Sequence, residues 1–145
     1  MPNDLILKKL EQMTILLKEL EELLALPFPE FKGTFTNVRS AERDFQLIVE
    51  LASDINAHTI AELGAETPDT YRESFTRMAA LKVIDEKSLP AFIKSSTLRN
   101  ILTHEYDFDE DNFIFYKSAK EFIPLYEQYI QSIRKRMEHQ RIALA

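Results

Sequence analysis

The 145-residue chain carries 18 Lys and Arg against 24 Asp and Glu, a formal net charge of −6 with a pI near 5.1. That balance argues against broad, non-specific nucleic-acid binding, which draws its free energy from cations at phosphates. With no cysteine, two glycines, no basic leader at Met1-Pro2-Asn3-Asp4 and no apolar run near the roughly 18 residues of a membrane span, the sequence excludes disulfides and thiolate chemistry and leads us to expect an all-α, soluble, cytoplasmic protein of one domain, residues 1–145.

Residues Asp4 to Leu26 set Leu5, Ile6, Leu10, Met13, Leu16, Leu17, Leu20, Leu23 and Leu24 mostly three or four apart with Glu and Lys between, which predicts an amphipathic helix stopped by Pro27 and Pro29. A second helix is expected from Thr36 to Leu63, striped by Val38, Ala41, Phe45, Ile48, Val49, Ala52 and Ile55, with Gly64 at its exit. Thr67-Pro68-Asp69 offers an N-cap, a proline suited to a first turn and an acid favoured by the helix dipole, opening a third helix to about Leu81. Ser88, with Pro90 in the first turn, begins a fourth that carries Leu89, Phe92, Ile93, Leu98, Ile101 and Leu102. The fifth starts near Asn112 and holds Phe113, Phe115, Tyr116, Phe122, Leu125, Tyr126, Tyr129 and Ile133; Pro124 should kink it, and Tyr126 and Tyr129 are candidates to reach an interface. Together these predict an antiparallel bundle of four or five helices. The segment from Gln131 to Ala145 sets Arg134, Lys135, Arg136 and Arg141 against Glu138, net +3, and reads as a solvated helix end or a local patch for RNA.

The fourth helix ends in the octapeptide Arg99-Asn100-Ile101-Leu102-Thr103-His104-Glu105-Tyr106. At about 100° per residue, Ser96, Asn100 and His104 share one face, Arg99 aligns with Ser95 and Thr103 on the next, and Arg99 and His104 stand about 140° apart. Ser95, Ser96 and Thr97 are small enough to let another helix or a substrate strand approach. An imidazole with an ordinary pKa near 6.5 moves protons at neutral pH. A guanidinium holds a phosphate and stabilises the extra negative charge of a phosphorane-like transition state. Asn100 can orient the imidazole or donate to a phosphate oxygen. RNA supplies its own 2′-hydroxyl as nucleophile, so cleavage by such a set needs no metal and no serine or cysteine. The competing reading makes Arg99 an ion-pair partner of Glu105 or the acidic loop and His104 a cation at the negative end of the helix dipole.

Arg-x4-His-x-Tyr with a polar residue directly after the arginine resembles the signature of the HEPN superfamily, most closely its HepT-like branch of prokaryotic toxin ribonucleases. The resemblance extends to Ser40-Ala41-Glu42-Arg43, to Pro68-Asp69-Thr70-Tyr71-Arg72-Glu73-Ser74-Phe75 and to the aromatic fifth helix. It implies a homodimer with a composite cleft at the two-fold axis, Arg99 and His104 as the catalytic pair, and Asn100 as a supporting polar residue. It also implies a minimal nucleotidyltransferase antitoxin as partner, with Tyr106 as the acceptor of its AMP, and no cofactor or metal. The structural alternative for Tyr106 is an aromatic cap over the helix end, and the alternative for the whole protein is a non-catalytic helical subunit that binds the nucleotidyltransferase. Glu105 to Asn112 holds five acids in eight residues, but it lacks the glycine and the final bidentate acid of a calcium loop and reads as a solvated turn capping the fifth helix. His58 and His139 have no clustered ligand set and are assigned no site.

Overall fold

A computed structural model describes the backbone of residues 2–104 and 108–144 and the side chains of residues 3–103 and 112–142. Its elements are α1 (Pro2–Leu24), α2 (Phe28–Gly33), α3 (Phe35–Glu62), α4 (Tyr71–Ala80), a 3-10 turn (Glu86–Ser88), α5 (Leu89–His104) and α6 (Phe108–Leu144), with no strand among the described residues. None of these helices is long and apolar enough to cross a membrane. Helix α1 packs along α3 and α6, α3, α4 and α5 each pack on the other two, and α5 returns to α6.

The long helices form where the apolar spacing predicts them, and three boundaries move for physical reasons. Pro27 and Pro29 end α1 but also start α2, because a proline in a first turn forfeits no internal hydrogen bond. That short helix drives Phe31 into the core, where its ring meets Tyr116 at 5.2 Å. Helix α4 is capped by Thr70 rather than Thr67: the Thr70 hydroxyl accepts from the Glu73 amide at 3.0 Å, and the Glu73 carboxylate accepts from the Asp69 amide at 3.0 Å. This is a capping-box arrangement, and its Thr-x-x-Glu pattern is present in the sequence. Helix α6 begins at Phe108, so the positions of Asp109, Glu110 and Asp111 belong to its first turn instead of a preceding loop. It continues through Pro124, whose ring and the Lys120 carbonyl it leaves without an amide both lie on the exposed side.

Aromatic rings from four helices fill the centre. Phe75 of α4 stacks on Phe92 of α5 at 4.8 Å and 11°, and Phe92 meets Tyr126 and Tyr129 of α6 edge-on. Tyr126 and Tyr129 are each 1 % exposed, so neither is available to an interface. Their hydroxyls are satisfied inside the core. Tyr129 donates to Asn56 Oδ1 at 2.6 Å, with the Ala52 carbonyl 3.0 Å away, and Asn56 Nδ2 donates to Ser74 Oγ at 3.1 Å. Ser95 Oγ donates to the Phe92 carbonyl at 2.7 Å and lies 2.6 Å from the Tyr126 hydroxyl. Since a serine has one proton, Tyr126 is the donor in that pair. The close approach beside Ser95 is thus made by α6 of the same chain.

Helices α3 and α4 end in the same closure. Gly64 (φ 76°) donates to the Ala61 carbonyl and Ala65 to Ile60, while Lys82 (φ 62°) donates to Ala79 and Val83 to Met78. Both are Schellman motifs, whose left-handed position favours glycine. Placing a lysine there costs roughly 1–2 kcal/mol.

Along the α1–α3 seam, Asp44 is 6 % exposed and its Oδ2 is buried without a hydrogen-bond partner. Burial, together with a hydrogen bond to Glu19 and that residue's negative charge, raises its carboxyl to about 7. Below pH 4 both folded and unfolded chains hold this proton; between about 4 and 7 only the folded chain does, so its contribution to stability falls across that window and is fully lost above it. Asp44→Asn is therefore expected to stabilise the protein at pH 8 by something on the order of 2 kcal/mol and to change little at pH 4. Urea denaturation of both proteins at the two pH values checks this, and equal effects at both would contradict it.

Candidate active site

Helix α5 delivers the motif because its N-terminal half is anchored in the core. Phe92, Ser95, Ser96 and Leu98 are buried, and Ser96 Oγ returns its proton to the Ile93 carbonyl at 2.8 Å. One turn on, Arg99 reaches out of the helix onto α3 and α4. Its Nη2 donates to Glu50 Oε1 at 2.8 Å, its guanidinium carbon stands 4.8 Å from the centre of the Tyr71 ring, and its Nη1 lies 3.4 Å from Asn100 Oδ1. Arg99 Nε is buried without a hydrogen-bond partner. A carboxylate on one edge and an aromatic face beneath it fix the guanidinium plane.

The expected row is only partly realised. Ser95 and Ser96 are core residues, while Asn100 and Thr103 are exposed, with Thr103 Oγ1 bonded back to the Arg99 carbonyl at 2.8 Å. Helix α5 ends at His104. The imidazole of His104 and the whole of Tyr106 lie outside the described residues, as do the side chains of the acidic stretch up to Asp111. The described partner of Arg99 is Glu50, 49 residues away in sequence.

Sequence reasoning missed Glu50 altogether and read Tyr71 only as part of a longer matching segment. Nothing local marks Glu50, a half-buried acid on a long helix. Tyr71 opens α4, so its capping box was the available signal that this residue sits where α4 approaches the other helices. The salt bridge is partly shielded, with side chains 16 % and 31 % exposed. Glu50→Ala is expected to cost about 1–2 kcal/mol, because it leaves a second guanidinium nitrogen short of an acceptor beside the unpaired Nε. Tyr71→Phe, which keeps the ring face, should be near neutral. Chemical denaturation of the two variants checks the contrast.

The chain is thus an all-helical bundle, among the described residues, that clamps Arg99 in the last turns of α5. Residues 13–133 match the family model described as ribonuclease HepT-like, and the chain belongs to that family. The tRNA nuclease HepT of Aphanizomenon flos-aquae is 29% identical over 126 residues, covering 86% of each protein. Among solved structures, a tri-AMPylated HEPN toxin of Shewanella oneidensis in complex with an MNT antitoxin superposes with a TM-score of 0.79 at 25% identity, over 91% of this chain and 98% of that one. YutE of Bacillus subtilis, a cytosolic protein, shares the fold alone, at TM-score 0.70 and 18% identity over 90% of this chain and 91% of that one.

Proposed function

We propose that this protein is the toxin of a prokaryotic toxin–antitoxin pair, a metal-independent endoribonuclease whose site is completed by a second copy of the chain. The observation that carries the reading is the clamp on Arg99: Glu50 and Tyr71 hold the guanidinium at the end of α5 in a chain of the HepT-like family. In this reading Arg99 binds the scissile phosphate and stabilises the charge that develops on it, through the donors Glu50 leaves free. His104 moves the proton between the 2′-hydroxyl, the attacking group, and the 5′-oxygen that departs. The products are a 2′,3′-cyclic phosphate and a 5′-hydroxyl. Asn100 supports Arg99, its amide oxygen already facing Nη1.

The angular offset of about 140° between Arg99 and His104 on one helix supports a site assembled from two protomers. Regulation follows the Shewanella complex, in which the toxin carries AMP and the partner is an MNT antitoxin. A nucleotidyltransferase of that kind would transfer AMP to Tyr106 and fill the cleft with bulk and negative charge.

The test is incubation of purified protein with RNA in chelator, with the product ends identified. Chelator-resistant cleavage that leaves cyclic phosphate is expected, while cleavage that stops in chelator, or that survives both Arg99→Ala and His104→Ala, overturns the mechanism. Intact-mass measurement after treatment with the cognate nucleotidyltransferase and ATP tests the modification. Added AMP on Tyr106→Phe refutes Tyr106 as the sole acceptor.

A further inference from the structure

We infer that a second, cationic surface of this chain grips the RNA backbone away from the cleavage site: the cleft where α6 passes the ends of α3 and α4. The cleft, of about 550 Å³, is lined by Leu63, Leu81, Lys82, Lys135, Arg136 and His139 among others, and no carboxylate lines it among the described residues. This extends the reading of the chain as a ribonuclease and rests on it.

Three observations converge. The first is charge concentration in an acidic protein: Lys82, Lys135 and Arg136 meet in one cleft although the chain as a whole carries −6. The C-terminal ends of α3 and α4 both point here, and each contributes about half a negative charge. That is roughly one negative charge against three positive ones, so helix dipoles alone leave most of this charge unexplained. Second, none of the three cations forms an ion pair among the described residues, a state they share with most Lys and Arg of the chain, so all three keep their donors for a ligand. Third, Lys82 occupies a left-handed backbone position at φ 62°, in the same closure that α3 makes with Gly64. The α4 closure thus holds a cation at the strained position where the α3 closure holds glycine.

Phosphates are the anions an RNA-acting chain meets in a row, and unpaired Lys and Arg without base-edge partners read backbone, not sequence. The cleft lies about 13 residues along α3 from Glu50, roughly 20 Å at the helical rise, so a folded RNA can occupy it while another part meets Arg99.

The experiment measures binding of a 2′-O-methyl RNA oligonucleotide, which keeps every phosphate but lacks the nucleophile, as a function of salt. Cleavage of ordinary RNA is followed in parallel. For the triple variant Lys82→Gly, Lys135→Gln, Arg136→Gln, the slope of log affinity against log salt is expected to fall by about 2, from roughly 0.7 per phosphate contact on a single strand. Affinity at low salt should drop roughly tenfold or more. KM for cleavage should rise while kcat at saturating RNA holds. Lys82→Gly alone should weaken binding while its Tm stays level or rises, since glycine relieves the strained position; a purely structural lysine would leave binding unmoved. An unchanged salt slope in the triple variant, with native cleavage intact, overturns this surface and leaves the cleavage site standing. Unchanged RNA binding with lost capture of the nucleotidyltransferase reassigns the cleft to protein docking and also overturns it. A native protein that neither cleaves nor binds RNA removes the ribonuclease reading, and this surface with it.

Discussion

Arg99→Ala and His104→Ala are each expected to lower the rate of RNA cleavage by about 10²–10⁴-fold, with the fold and the chain's stability largely retained in His104→Ala. The two losses have different origins. In the proposed mechanism His104 carries the proton, so its removal should slow the chemical step while RNA affinity is largely kept. Removing Arg99 takes away charge that matters most when the phosphate gains negative charge, so kcat should fall more than KM rises. Arg99→Lys keeps the charge but not the fork and should recover only a small part of the rate. Single-turnover cleavage assays of the three variants across pH 5–9 separate these contributions. Glu50→Ala should fall between, losing roughly tenfold as the guanidinium leaves its plane. If Glu50→Ala cleaves as fast as the native protein, the clamp does not position the arginine.

The largest effect on stability is expected at Phe75. Its ring is completely buried, stacked on Phe92 at 4.8 Å and edge-on to Tyr129 at 6.4 Å. Phe75→Ala removes both the buried area and the ring contacts at the point where α4, α5 and α6 meet, at a cost of about 3–5 kcal/mol. For a chain of this size that lowers Tm by roughly 10 °C or more. Cleavage should fall with it at intermediate temperatures, since α4 also carries Tyr71 beneath Arg99. Thermal unfolding followed by circular dichroism gives the answer, and a shift below about 2 °C would show that the site collapses around the lost ring.

Much of the fold is legible in the sequence where a long amphipathic stripe repeats. Helices α1, α3 and α5 fall within a few residues of their expected ends because many apolar residues vote for the same face. Short-range signals are weaker. Pro27 and Pro29 carry the chemistry of a stop and of a start equally, and only the burial of Phe31 decides between them. Thr67 and Thr70 are both competent caps, separated only by the carboxylate of Glu73 three residues after the second. Of the candidate site, Arg99 is held by Glu50 and Tyr71, with Asn100 Oδ1 3.4 Å from its Nη1. Glu50 is invisible because its role depends on how α3 crosses α5, a tertiary fact with no local pattern. The fate of Tyr126 and Tyr129 turns on whether Ser95 and Asn56 face them, which hydropathy does not encode.

Those two tyrosines also couple the arginine clamp to α6, a helix that supplies none of its residues. Glu50, Tyr71 and Arg99 lie on α3, α4 and α5, and α6 braces two of those helices from the side, through Tyr126 on Ser95 and Tyr129 on Asn56. A site braced this way is only as firm as the packing of α6, so local opening of that helix should loosen the hold on Arg99 before the whole bundle unfolds.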